Sequence, residues 1–276
     1  MNSPGLDAAT LASRIAYDCQ LFVLDTTTST NDEAVRKAQE STRLPAVPLV
    51  VISNTQTSGR GRLGRTWASP AGGLYLSILL TIETRARADN AYSMASLSPL
   101  VALTARDALQ VFTSSEILVK WPNDVLTPAG KLAGILIEVK PASALFNNVM
   151  SNALVVVVGI GVNVNRPNAG ALEAAAYLSD SPDQYLQLET VASALTNNLL
   201  RQIAAWQAEG CCFGSFVSSY MHHMAGIGEA VCVRDACGAE VASGTVKGID
   251  ELGRLLLQAT TGEIAVTSGE VTLRKP

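Results

Sequence analysis

Two stretches rich in consecutive apolar residues, Lys131 to Val139 and Ala153 to Val164, lie close together in the chain and are joined by a polar loop. A strand that alternates polar and apolar residues can face water on one side, whereas one that reads as a near-continuous apolar run belongs inside a sheet. The pair therefore predicts two long neighbouring strands at central positions, with the rest of the chain arranged around them. Leu21 to Leu24 reads as a buried strand, and Leu49 to Ser53 and Leu74 to Ile82 as two more. Ile117 to Trp121 is another, turned by the PNDV segment that follows it.

Helical spacing appears between these runs. Thr30 followed by Glu33 forms a capping box and starts a helix that runs to about Gln39. Leu97, Val101, Ala105, Ala108 and Phe112 predict a helix on the sheet with Pro99 in or near its first turn. Glu189 to Ala208 and Phe213 to Met221 predict two more. Leu6, Leu11 and Ile15 give residues 1–20 a short helical extension, too small for a helix-turn-helix domain. Beyond Gly226 the texture changes to short alternating pairs: Val231 and Val233, Leu255 and Leu257, Ile264 and Val266, Val271 and Leu273. Gly238, Gly253, Gly262 and Gly269 separate them, which predicts a small all-β barrel. The expected division is 1–20, 21–224 and 225–276.

Composition excludes several classes. Hydrophobic residues make up 48% and charged residues 16% of the 276, the latter below the ~25% of ordinary soluble proteins, so most of the chain is not disordered. The strongest apolar runs, Leu154 to Val158 and Leu76 to Leu80, fall short of the roughly 18 residues of a membrane helix. The amino terminus has neither a basic start nor an apolar core, so no secretory signal and no membrane association are expected, and the location expected is cytoplasmic. Five cysteines, an odd number, read as reduced thiols. Cys211, Cys212, His222 and His223 match no zinc-finger spacing. With a net charge of −4, bulk electrostatics do not recruit nucleic acid. Any basic function must be local.

It is local in two places. Arg60, Arg62 and Arg65 crowd one glycine-rich loop, and Lys120 and Lys131 bracket the strand-turn-strand around PNDV. Gly59 to Thr66 satisfies the GxGxxG spacing and, but for Arg65, a P-loop. Both motifs need a helix immediately afterwards to hold phosphate at its amino terminus. Trp67, Pro70, Gly72 and Gly73 allow none. What remains, from Asn54 to Gly73, is a long polar loop carrying three guanidinium groups suited to phosphate or carboxylate, with Trp67 offering a ring face. With so little apolar surface, Thr57 to Gly72 is expected to be displaced without ligand and to close on it.

TQTSGRGRLGRTWASPAGGLYLS with Gln56, KWPND at Lys120 to Asp124, KLAGILIE at Lys131 to Glu138 and GIGVNVN at Gly159 to Asn165 resemble, together and in this order, the biotin protein ligases. STN at Ser29 to Asn31 and the GID and GEVTLR phrases of the barrel look like the same family, and the resemblance covers roughly residues 20–276. It implies an α+β fold: a mixed, largely antiparallel sheet with packed helices, class II synthetase-like, plus a carboxy-terminal SH3-like barrel. It implies an enzyme that activates biotin with ATP and Mg2+ to biotinyl-5'-AMP and transfers biotin to a lysine of a biotin carboxyl carrier protein, such as that of acetyl-CoA carboxylase. The form is ligase-only, without DNA binding, as monomer or homodimer.

By the same resemblance Ser29, Thr30, Asn31, Gln56, Gly59, Arg60, Gly61, Arg62, Lys131, Gly134 and Gly161 bind biotin. Arg62, Arg65, Trp67, Lys120, Asn123, Lys131 and Asn163 bind ATP, with Asn163 at the adenine edge, and Lys131, Arg62 and Asp124 are the catalytic candidates. Asp124 has two available tasks, orienting magnesium or acting on the acceptor lysine, beside a plain turn role after Pro122. Lys120 and Lys131 also fit as ordinary strand-end lysines, and Gly134 and Gly161 as bulges. The rivals are a lipoate-protein ligase and a non-catalytic anion- or RNA-binding module.

Overall fold

The computed structural model describes residues 6–41, 43–83, 90–147, 153–167, 172, 174–179 and 184–273. Strands Gln20–Thr27 (β1), Leu49–Gln56 (β2), Leu74–Glu83 (β3), Leu118–Lys120 (β4), Asp124–Thr127 (β5), Gly130–Pro141 (β6) and Ala153–Val162 (β7) form one seven-stranded sheet in the order β1-β2-β3-β7-β6-β5-β4. β7 is the middle strand, and β6 and β3 flank it antiparallel, as the two apolar runs require. Only the β1–β2 pair is parallel. The fold is therefore the mixed, largely antiparallel α+β arrangement expected.

The helices are Ala8–Arg14 (α1), Thr30–Gln39 (α2), Asn90–Gln110 (α3), Leu188–Ala208 (α4) and Val217–His222 (α5). They explain why the central strands have no polar face. Leu76, Ile78, Val156 and Val158 pack with Leu97 and Val101 of α3 and Leu195 and Leu199 of α4. The intervening Leu79, Val155 and Val157 turn the other way and pack under Ala34 and Ala38 of α2. Successive side chains of a strand alternate between faces, so two covered faces demand an unbroken apolar run. α1 docks on α4: Leu11 is buried, and Asn197 accepts from the Ala16 amide at 2.8 Å while donating to the Arg14 carbonyl at 2.9 Å.

Several local expectations need correction. Leu21 to Leu24 is half-buried, because β1 lies at the sheet edge. Pro99 sits in the interior of α3, which begins nine residues earlier, at Asn90. Its ring faces the Gly253 turn of the barrel, where an added Cβ would come within 2.7 Å of the Ser96 Cα. The strand predicted from Ile117 is only Leu118–Lys120, since Trp121 leaves it to donate its indole N–H to the Gly253 carbonyl at 3.0 Å. The helix at Phe213 divides into a 3-10 turn, Gly214–Phe216, and α5.

The carboxy-terminal unit consists of Ala230–Arg234 (β8), Glu240–Ile249 (β9), Leu255–Ala259 (β10), Gly262–Val266 (β11) and Glu270–Leu273 (β12), all antiparallel in the order β11-β10-β9-β8-β12. β9 is absent from the predicted pairs because Ala242, Ser243, Gly244 and Thr245 give it little apolar alternation. Val231, Val246, Leu255 and Val271 point into a core continuous with that between the main sheet, α3 and α4.

Candidate active site

The face of the sheet that carries α2 changes character along β7. Val155 and Val157 are packed core, but the next residues on that face are Gly159 and Gly161. Gly159 pairs with Ser77 of β3 and Leu136 of β6, and Gly161 pairs with Tyr75 and Gly134. Gly159 and Gly161, with Gly134 and Ser77 beside them, thus open a cleft where the core would otherwise continue. Its lining includes Ser29, Thr30, Asn31, Gln56, Arg60, Gly61, Arg62, Arg65, Trp67, Lys120, Asn123, Asp124, Lys131, Gly134 and Gly161, nearly all the residues expected there.

The wall is the first turn of α2. Its cap differs from the predicted box: Ser29 is the N-cap residue, and its carbonyl accepts from the Glu33 amide at 2.9 Å. This frees Thr30 for the site. The Thr30 amide and hydroxyl donate to Gln56 Oε1 at 2.8 and 3.1 Å, and Gln56 Nε2 donates to Ser69 Oγ at 2.9 Å. Asn31 Nδ2 donates to Glu138 Oε2 at 2.7 Å, and Asn31 Oδ1 lies 2.6 Å from Ser77 Oγ. Ser29, Thr30 and Asn31 are each 4% exposed. The wall is held by side-chain bonds to β2, β3 and β6.

The roof is the Arg loop, folded as a small hairpin. The Gly61 amide donates to the Arg65 carbonyl at 2.7 Å and the Trp67 amide to the Gly59 carbonyl at 2.9 Å. At the tip Leu63 and Gly64 have φ of 56° and 73°, a region costly for a branched side chain and free for glycine. Strand β3 begins at Leu74 with no helix between, so neither phosphate-loop geometry is present. Arg60 Nη2 donates to Asp32 Oδ1 at 2.6 Å and Glu138 Oε2 at 3.1 Å. Arg62 donates to Asn123 Oδ1 at 2.8 Å and to the Gly269 carbonyl of the barrel at 3.2 Å. Arg65 pairs with Glu270 of β12.

The floor carries Trp67 and Lys131. An added Cβ at Gly161 would stand 2.3 Å from the indole Nε1, and one at Gly134 2.9 Å from the same ring. Only a glycine pair lets the indole lie on the sheet. Lys131 Nζ is 5.2 Å from the ring centroid and 2.7 Å from Asp124 Oδ1. Burial draws the Arg62 guanidinium below its ordinary value, opposed by the nearby Asp124 and Glu270 charges. The Arg65 hydrogen bond holds Glu270 below its ordinary value, and Glu270 in turn raises Arg65.

Two expected residues lie outside the lining. Gly59 is needed by the hairpin itself, since a Cβ there would meet Ser69 Oγ and the Trp67 carbonyl at 2.4 Å. Asn163 is buried alongside β6, where its backbone amide donates to the Leu132 carbonyl at 2.9 Å and its Nδ2 to the Lys131 carbonyl at 3.1 Å. Glu138 and Glu270 were not expected at the site, although they stand in the KLAGILIE and GEVTLR phrases. Arg274 of the latter lies outside the described residues.

An α+β sheet with an arginine roof, a lysine over a glycine floor and a barrel closing one end defines a ligand-activating cleft for an anionic small molecule. The chain belongs to the biotin/lipoate A/B protein ligase family, whose model matches residues 23–163. Residues 226–274 match the biotin protein ligase C terminal domain. A biotin--[acetyl-CoA-carboxylase] ligase of Paracoccus denitrificans is 32% identical, over 90% of this chain and 98% of that protein. One from Mycobacterium tuberculosis is 31% identical, over 91% and 88%. Among solved structures, the biotin protein ligase from Aquifex aeolicus in complex with biotin and ATP superposes with a TM-score of 0.71 at 26% identity, covering 93% of this chain and 99% of that one.

Proposed function

We propose that the cleft belongs to an ATP-dependent biotin protein ligase. The biotin carboxylate attacks the α-phosphorus of ATP, forming the mixed anhydride biotinyl-5'-AMP and releasing pyrophosphate. A lysine amine of the carrier protein then attacks the acyl carbon, and AMP leaves with the bonding pair while the amine gives up its proton. Such chemistry is mostly positioning and charge neutralisation. The observation that carries the reading is Lys131, an ammonium fixed by Asp124 at 2.7 Å above the glycine floor. There it can meet a carboxylate and an α-phosphate together.

In this reading Ser29, Thr30, Asn31 and Gln56 hold the biotin head, and Arg60, Gly61 and Arg62 cover the ligand. Arg65, Lys120 and Asn123 face the triphosphate, with Trp67 packing beside the adenine. The carboxylates of the cleft lining, Asp124 and Glu270, are already paired with Lys131 and Arg65. Mg2+ would come with ATP, and Asp124 is the lining carboxylate that would orient it or act on the acceptor lysine. The acceptor is a biotin carboxyl carrier protein, and the enzyme is cytoplasmic, without DNA binding, as monomer or homodimer. Among the described residues no helix is long and apolar enough to cross a membrane. The same reading places the division of labour at 1–20, 21–224 and 225–276.

Incubation with ATP and biotin, lipoate or RNA tests this. Biotinyl-AMP detected by mass, followed by biotinylated carrier, is the expected result. Lipoyl-AMP alone would make the chain a lipoate ligase, and RNA retention without any adenylate would make it a binding module.

A further inference from the structure

Glu138 is a carboxylate on a strand next to the centre of the sheet, on the same face as Gly134 and Leu136 of the floor. Its side chain is 25% exposed, and a carboxylate so placed is costly unless paired. It has two partners, and they come from opposite sides of the cleft. Asn31 of the wall donates to Oε2 at 2.7 Å, and Arg60 of the roof donates to the same oxygen at 3.1 Å. Asn31 has little freedom: Ser77 holds its oxygen, and Gly159 lacks the Cβ that would stand 2.2 Å from that atom.

We propose that Glu138 is a positioning residue that ties closure of the Arg loop to the wall at Asn31; this rests on the biotin ligase reading of the same cleft. The buried arm, through Asn31, fixes where the carboxylate stands. The outer arm, through Arg60, draws the roof down onto it. A ligand that engages Asn31 steadies Glu138 and so favours the closed loop, and closure in turn favours the ligand. Asp32, the residue after Asn31 in α2, gives Arg60 the shorter contact at 2.6 Å, but its side chain is 57% exposed against 25% for Glu138, so that pair is the more heavily screened of the two. Solvent screening of the Arg60 arm keeps the effect modest and makes it sensitive to salt.

The test compares Glu138→Gln with the full-length wild type. Chymotrypsin cleavage at Leu63 and Trp67 of the ligand-free protein, read by mass, should quicken by about threefold or more. The biotin KM should rise by about three- to fivefold while kcat at saturating biotin stays within about twofold, a split that a damaged fold would not give. Raising salt from about 0.05 to 0.5 M should raise the biotin KM of the wild type by a larger factor than that of Glu138→Gln, which has already lost one screened pair. Arg60→Ala, made from the exposed side where folding is not at stake, should quicken the same cleavage and raise the biotin KM at least as much, since it loses its cover of the ligand as well as the tie to Glu138. The double variant should be no worse than Arg60→Ala alone. Unchanged cleavage and KM, a fall in kcat without a rise in KM, or effects that multiply in the double variant would overturn the proposal. If the wild type makes no biotinyl-AMP, the functional reading fails, and the cleavage comparison still decides the role of Glu138.

Discussion

The floor and the roof of the cleft are built from opposite materials. The floor is steric: Gly134, Gly159 and Gly161 exclude any side chain, and the indole of Trp67 and the amide of Asn31 fill the space they leave. The roof is electrostatic: Arg60 and Arg65 are 42% and 64% exposed and reach carboxylates on α2, β6 and β12. Steric contacts in a close-packed interior change by kilocalories when one methyl is added, whereas exposed ion pairs are screened and individually weak. The difference teaches that the cleft has a fixed bed and a cover that can lift.

Lys131 stands where the two meet, so its loss should be the largest effect. Lys131→Ala should lower the rate of adenylate formation by ~10² to 10³ with the fold retained, read as pyrophosphate release. Arginine should rescue poorly, because the site holds a compact ammonium. A wild-type rate in Lys131→Ala would remove it from the mechanism. Gly161→Ala comes next, forcing a Cβ against the Trp67 ring. It should cost about 1–3 kcal/mol in thermal stability and change the tryptophan fluorescence. A neutral outcome would mean the floor is softer than its geometry implies.

The roof should respond less. Glu270→Gln removes one exposed pair, and unfolding should shift by no more than about 1 kcal/mol while the ATP KM rises by a few fold. Glu270 is held below its ordinary value of 4.5 by Arg65. Its stabilising contribution is therefore fully present above that value and is lost as pH falls through the depressed one. From neutral pH down to about 4.5 the salt dependence of ATP binding should stay the same, and only more acid conditions should make wild type and Glu270→Gln alike. An equal salt response in both proteins at neutral pH would break the assignment. The smallest effect belongs to the exposed Lys247 of β9. Lys247→Ala should slow transfer to a carrier protein more than adenylate formation, measured separately. Equal effects would leave the barrel as cover alone.

What the sequence could show divides along the same line. The floor was legible because it is written in neighbouring residues: the switch from Val155–Val158 to Gly159 and Gly161 lies within one strand, and Lys131 and Gly134 within another. The partners of the roof were not. Arg60 meets Glu138 across 78 positions, and Arg65 meets Glu270 across 205. An acid near a strand end reads locally as a solvated charge. Pro99 misled because a proline is ordinarily read as a helix start, whereas α3 begins at Asn90 and carries it in its interior. Asn163, just past the end of β7, spends its side-chain amide on the Lys131 carbonyl, a long-range partner that the GIGVNVN phrase does not show.

The middle strand has a kinetic consequence of its own. β7 is hydrogen-bonded along its length to β3 and β6, so the amides beneath the ligand bed sit in the part of the molecule that opens last. Deuterium should enter Gly159 and Gly161 at a rate set by whole-molecule unfolding, and the Arg60–Thr66 ribbon many orders of magnitude sooner. Bound biotin should slow exchange in the ribbon by damping its local excursions. At the two glycines it can act only through the global equilibrium, by the amount that binding stabilises the native state.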